Sequence, residues 1–159
     1  MKSYFDLIDQ TFDFPTEEFK VNGKYLEFHG IPLKKVLDTY GTPLRMTYLP
    51  KIRENINNAN EWFKKAIEKH EYKGGYTYCY CTKSSHFEFV LNEVLNSGSQ
   101  IETSSAFDMK IVRSLYDKGK LKKDALIICN GFKRPLYTQY ITEMINDGFH
   151  NCIPILDNM

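Results

Sequence analysis

Apolar residues recur at three- and four-residue steps between Lys51 and His70, where Ile52, Ile56, Ala59, Trp62, Phe63, Ala66 and Ile67 fall on one stripe. That spacing predicts an amphipathic helix. Beyond Gly74-Gly75 the pattern changes and then repeats. Tyr76-Thr77-Tyr78-Cys79-Tyr80-Cys81 is an aromatic-rich run that predicts a strand. Ser84 or Ser85 is placed to cap a helix through Phe89, Val90, Val94 and Leu95, closed by Gly98. A short strand follows at Gln100-Ile101-Glu102-Thr103, and Ser104 or Ser105 caps a helix carrying Met109, Ile111, Val112 and Leu115, ending near Gly119. Ala125-Leu126-Ile127-Ile128-Cys129 is continuously apolar, the form of a strand buried on both faces. A helix from Pro135 through Leu136, Tyr140, Ile141, Met144 and Ile145 stops at Gly148, and Cys152-Ile153-Pro154-Ile155-Leu156 gives a last strand.

The first 40 residues form an irregular lead-in to this series. Asn22-Gly23, between Phe19-Lys20-Val21 and Tyr25-Leu26-Glu27-Phe28, has the chemistry of a hairpin turn. Pro32 to Tyr40 predicts one short helix closed by Gly41, and residues 43–48 alternate as a strand would. The main series then alternates strand and helix, with strand starts roughly 25 residues apart. This is an α/β pattern with right-handed crossovers between parallel strands. An open doubly wound sheet and a (β/α) barrel both fit it. About four barrel-type strands are present, against eight units and about 250 residues in a complete barrel. The expectation is therefore a lead-in over 1–40 and an incomplete barrel over 41–159.

Composition adds exclusions. Lys and Arg number 21 and Asp and Glu 20, a balance that gives nucleic acid or an anionic membrane no electrostatic reason to bind. The basic run at residues 118–123 reads as a solvated turn. Cys79, Cys81, Cys129 and Cys152 contain no C-x-x-C pair and lie in apolar runs, which argues against zinc or a disulfide framework. The opening residues contain no continuous apolar stretch of signal-peptide type, and no run approaches a membrane span. A cytoplasmic protein without a metal is expected.

Parallel α/β folds meet their ligands at the carboxyl ends of strands. Here those ends are Thr82-Lys83-Ser84, Thr103-Ser104-Ser105, Asn130-Gly131-Phe132-Lys133 and Asp157-Asn158. Lys83 follows the aromatic strand directly, so its amine rises from a barrel mouth, and a partly desolvated lysine there can react with a carbonyl. A solvent-exposed strand-end lysine is the plain alternative. Glu102 stands at the end of its strand as a possible orienting acid or an ordinary helix-entry acid. Ser105 is an N-cap or a cofactor contact, and Asn130 orders the third loop or simply turns it. Lys133 meets a charged ligand or water. His86, at the start of a helix, is a further candidate, while Tyr78 and Tyr80 share one side of their strand as core.

Tyr80-Cys81-Thr82-Lys83 resembles the aromatic-Ala-x-Lys motif of the fold-III, alanine-racemase-like pyridoxal-phosphate (PLP) decarboxylases, with Cys81 where alanine is usual. Gly41-Thr42-Pro43-Leu44-Arg45, Glu102-Thr103-Ser104-Ser105-Ala106-Phe107-Asp108 and Ile127-Ile128-Cys129-Asn130-Gly131-Phe132-Lys133 are similar to family segments, in family order and spacing. Ile155-Leu156-Asp157-Asn158 stands where the family ends its fourth strand. Cys129-Asn130-Gly131-Phe132-Lys133 most resembles the biosynthetic arginine decarboxylase branch.

The resemblance implies that Lys83 is the catalytic and cofactor-holding lysine, with Glu102, Ser105, Asn130 and His86 around it. It implies PLP as cofactor, L-arginine decarboxylation to agmatine in polyamine biosynthesis, and a homo-oligomer. The family's phosphate loop, ring-stacking histidine, pyridine-nitrogen acid and partner-donated residues would follow Met159, so the chain is expected to be the N-terminal part of such an enzyme and inactive alone. Another basic amino-acid decarboxylase of the family, a non-catalytic PLP-binding barrel or a regulatory pseudo-enzyme is the alternative.

Overall fold

A computed structural model describes residues 18–156. They fall into two compact units divided between Thr47 and Tyr48.

In the first unit, β1 (Phe19–Asn22) and β2 (Tyr25–Phe28) form the expected hairpin, with Asn22 opposite Tyr25. Gly23 takes φ +60° at the turn, where a side chain would be strained. β3 (Ile31–Pro32) adds antiparallel to β2, and α1 (Leu33–Tyr40) follows it. Gly41 closes α1 at φ +78°, its N–H donating to the Leu37 carbonyl at 2.7 Å. Residues 43–48 are not the expected strand: they run irregularly into α2. Alternation is only a permit for a strand; the ladder also needs a partner, and Pro43 withholds one of its donors.

The second unit contains α2 (Leu49–Lys69), β4 (Cys79–Cys81), α3 (Glu88–Asn96), β5 (Gln100–Thr103), α4 (Ala106–Asp117), β6 (Ile127–Cys129), α5 (Pro135–Asn146) and β7 (Cys152–Pro154). All four strands are parallel, in the sheet order β4-β5-β6-β7. Strand order thus equals chain order. With right-handed crossovers, an unreversed order puts every connecting helix on the same face. Leu91 of α3, Met109, Val112 and Leu115 of α4, and Tyr137, Ile141 and Met144 of α5 accordingly share one core with Ile101, Ile127, Cys129 and Cys152. A doubly wound sheet reverses its order and carries helices on both faces, and this sheet does neither.

Only half of the α2 stripe is used. Ile56 is buried against Val90 and Val94, with Leu49, Ile52, Tyr78 and Tyr80 beside them. Trp62, on the same predicted stripe, is 68% exposed. β6 also departs from expectation: Ile127 and Cys129 are fully buried, but Ile128 between them is only half-buried. One face of the sheet is core, and the other is left open by the helices. No helix among the described residues is long and apolar enough to cross a membrane.

Candidate functional site

The open face and the carboxyl edge of the sheet carry the chemistry. Parallel register sets Cys79 beside Gln100, Cys81 beside Glu102, and Glu102 beside Ile128. These residues therefore project from the same face, opposite Ile101 and Ile127. Glu102 is held by Asn130, whose Nδ2 donates to Oε1 at 3.1 Å from the end of β6. On its other side lies the Cys81 thiol. Partial burial raises the Cys81 pKa, and the adjacent Glu102 carboxylate raises it further, while the backbone N–H and ammonium of Lys83 oppose that rise. Burial first and Glu102 second likewise push Cys79 up. Cys81 is thus the register partner of the acid and stands two residues before the lysine.

Lys83 is exposed in the turn that follows β4. The turn is closed by the Ser84 N–H donating to the Cys81 carbonyl at 3.1 Å. Thr82 anchors it to β5: both its N–H and its hydroxyl donate to the Glu102 carbonyl, at 3.0 and 3.1 Å. Among the described residues no carboxylate lies within 4 Å of the Lys83 ammonium.

The next loops are locked from below. Thr103 is fully buried, its hydroxyl 2.8 Å from the Tyr137 hydroxyl, which also donates to the Thr103 carbonyl at 3.1 Å. Desolvation pushes the Tyr137 phenol well above its ordinary range. Asn130 N–H donates to the Thr103 carbonyl at 2.8 Å, joining the ends of β5 and β6. Gly131 is required by contact: a Cβ there would lie 1.8 Å from the Ser104 carbonyl oxygen.

The remaining candidates spread out. Ser105 is the N-cap of α4, its Oγ accepting from the Asp108 N–H at 3.3 Å, and Asp108 accepts in return from Ser104 N–H at 2.8 Å. His86 packs edge-on against Phe107 at 5.6 Å and lines the groove between α3 and α4 with Glu88 and Lys110, on the helical side. Lys133 folds back, donating to the Gly131 carbonyl at 2.5 Å over the Tyr137 ring. Neither Ser84 nor Ser85 caps α3, whose N-cap is Phe87, without a side-chain hydrogen bond; the Ser85 carbonyl instead accepts from the Tyr80 hydroxyl at 3.1 Å. Asp157 and Asn158 lie outside the described residues.

The part played by Cys81 was not foreseen from sequence. Register alone could have revealed it, since Cys81 ends β4 and Glu102 stands at the last position but one of β5. No set of three or more His, Cys, Asp or Glu side chains suited to a metal occurs among the described residues.

No protein-family model matches the chain. It is similar to the biosynthetic arginine decarboxylase of Prochlorococcus marinus strain AS9601, with 28% identity over 104 residues, covering 63% of this chain and 15% of that protein. The same enzyme of strain MIT 9215 is 28% identical over 105 residues, and that of Parasynechococcus marenigrum strain WH8102 is 27% identical over 103. The chain spans about 15% of the length of these curated relatives. What is established is an α/β chain with a four-stranded parallel sheet, distantly similar along part of its length to biosynthetic arginine decarboxylases.

Proposed function

We propose that this chain forms part of the cofactor barrel of a PLP-dependent decarboxylase acting on L-arginine, and that Lys83 is its cofactor lysine. The observation that carries the reading is the singly wound sheet, with helices on one face and Cys81, Glu102, Asn130 and Lys83 gathered at the carboxyl end of the other. In a barrel that second face is the interior, and its carboxyl-end rim is where catalytic groups stand. The similarity to arginine decarboxylases supports the choice of chemistry and substrate.

The donor set fits the aldehyde end of PLP: a primary amine with no carboxylate within 4 Å among the described residues, on a turn anchored to the strand whose acid is held by Asn130. A cradle for the phosphate and an acid for the ring nitrogen are not identified among the described residues. When bound, PLP supplies the electron sink for the pair of electrons left behind as carbon dioxide departs. Lys83 contributes the amine that holds the cofactor and is exchanged for the substrate amine. Glu102 contributes a fixed negative charge at the rim that favours cationic groups near it. Asn130 keeps that carboxylate in place, and Thr82 fixes the height of the lysine-bearing turn above β5.

The test is borohydride reduction of the complete PLP-loaded protein, followed by peptide mapping. The pyridoxyl group is expected on Lys83, and Lys83→Ala is expected to lower agmatine formation from L-arginine by more than a thousandfold. Labelling of Lys133 instead, or a preference for ornithine or diaminopimelate in kcat/KM, would respectively remove the lysine assignment or the substrate assignment.

A further inference from the structure

We propose that the Sγ atoms of Cys129 and Cys152 and the Sδ atom of Met109 form a buried binding site for one monovalent copper ion. The site lies in the core on the helical side of the sheet, and it does not depend on the assignment of Lys83.

Three elements supply the sulfurs. Cys129 ends β6, Cys152 begins β7, and Met109 stands near the start of α4. All three are buried, and both cysteines are free thiols. The Cys129 Sγ lies 3.6 Å from the Cys152 Sγ and 3.9 Å from the Met109 Sδ. Register separates this pair from a disulfide. Cys152 is paired with Ile127, and Cys129 with Pro154, so the cysteines are offset by two residues as well as by one strand. Ordinary strand spacings then put their Cα atoms about 8 Å apart, beyond the roughly 7 Å that a disulfide can bridge. Their sulfurs nevertheless lean together. A bridging ion suits this arrangement, because metal–sulfur bonds of about 2.3 Å hold the sulfurs of a three-coordinate ion about 4 Å apart. Thiolate and thioether donors together select monovalent copper. Zinc takes four ligands, and among the described residues no further His, Cys, Asp or Glu completes a set with this pair. Each thiol releases its proton to solvent as its bond to copper forms, and the ion stays monovalent. A hydroxyl is at hand for the single negative charge left over: Thr103 Oγ1 is 3.5 Å from the Met109 sulfur. β7 is an edge of the described sheet, so an ion reaches Cys152 by the opening of one strand.

The experiment titrates the full chain with Cu(I) under anaerobic conditions, in competition with the chelator bathocuproine disulfonate. Cys79→Ser and Cys81→Ser are present throughout, to remove the thiols of the open face. One ion per chain is expected, with an X-ray absorption spectrum that shows three sulfurs and no nitrogen or oxygen around copper. Cys129→Ala and Cys152→Ala should each weaken binding by more than about a hundredfold, since even the loss of a residue that supports a ligand costs roughly 10–100-fold. Met109→Leu, which conserves core volume, should weaken binding about tenfold and leave two sulfurs on the ion. Circular dichroism checks the fold of each variant; where a cysteine variant does not fold, the spectrum of the parent and the result for Met109→Leu decide. Loss of copper to the chelator, nitrogen or oxygen on the ion, or binding that survives Cys129→Ala or Cys152→Ala would overturn the inference. So would a Met109→Leu chain that binds like its parent. Each of these results would leave the thiols as packed core and would not touch the borohydride mapping of Lys83.

Discussion

At the scale of single residues, the rim is set by contacts that tolerate little change. Gly131 passes so close to Ser104 that an added methyl group would overlap its carbonyl. The obstacle is backbone, so it cannot rotate away as a side chain tip would. Gly131→Ala should push the β5–α4 and β6–α5 loops apart, at about 1–3 kcal/mol for an overpacked site. Asn130, next in the chain, should then lose its hold on Glu102. The expected observation is a lower urea midpoint at unchanged slope. A variant as stable as the parent would mean that the loops part without cost. Thr103 and Tyr137 illustrate the converse: two buried hydroxyls bond one another and nearby backbone carbonyls, tethering α5 to the end of β5, so the cost of burying them is offset by these bonds.

At the scale of elements, Ser105 separates capping from catalysis. It begins α4 by accepting from Asp108 N–H, and Asp108 answers through Ser104. Ser105→Ala should cost about 1 kcal/mol, the ordinary loss of an N-cap, while Ser105→Asp should retain most of that stability. A direct role in holding an anionic cofactor would give a different signature, with Ser105→Asp stable but unable to retain PLP. Equilibrium unfolding together with PLP retention distinguishes the two. The helices themselves were legible because three- and four-residue spacing is local: α2, α4 and α5 lie within a few residues of their predicted limits. The residue 43–48 strand and the Ser84 or Ser85 cap were not, since each depends on a partner elsewhere in space. The turn at Lys83 takes Ser84 into its own backbone hydrogen bond, and α3 starts only at Glu88, with Phe87 as its N-cap.

At the scale of the whole molecule, the two faces of the sheet should respond differently to the same deletion. Ile127 is fully buried under the helices, and Ile128, one residue on, is only half-buried on the open face. In the 159-residue chain, Ile127→Ala should therefore cost about 2–5 kcal/mol, and Ile128→Ala clearly less. In a complete protein of the relatives' length, closure into a barrel would cover Ile128 and bring its cost up to that of Ile127. Denaturant unfolding of both variants at both lengths provides the check. An Ile128→Ala change that stays inexpensive in the longer protein would count against a barrel.

The sequence by itself determined the alternation of strands and helices, the hairpin at Asn22-Gly23 and an α4 cap at Ser104 or Ser105, because each is written in neighbours a few positions apart. Strand–helix alternation is common to barrels and doubly wound sheets, so it left the winding open. Only the tertiary structure decided that the strands pair in unreversed order, which leaves one face open. It also decided that Cys81, Glu102 and Asn130 meet there, while His86 turns to the helical side. The physical reason is register: a parallel pairing joins residues more than twenty positions apart, and a slip of one residue would send Glu102 to the opposite face.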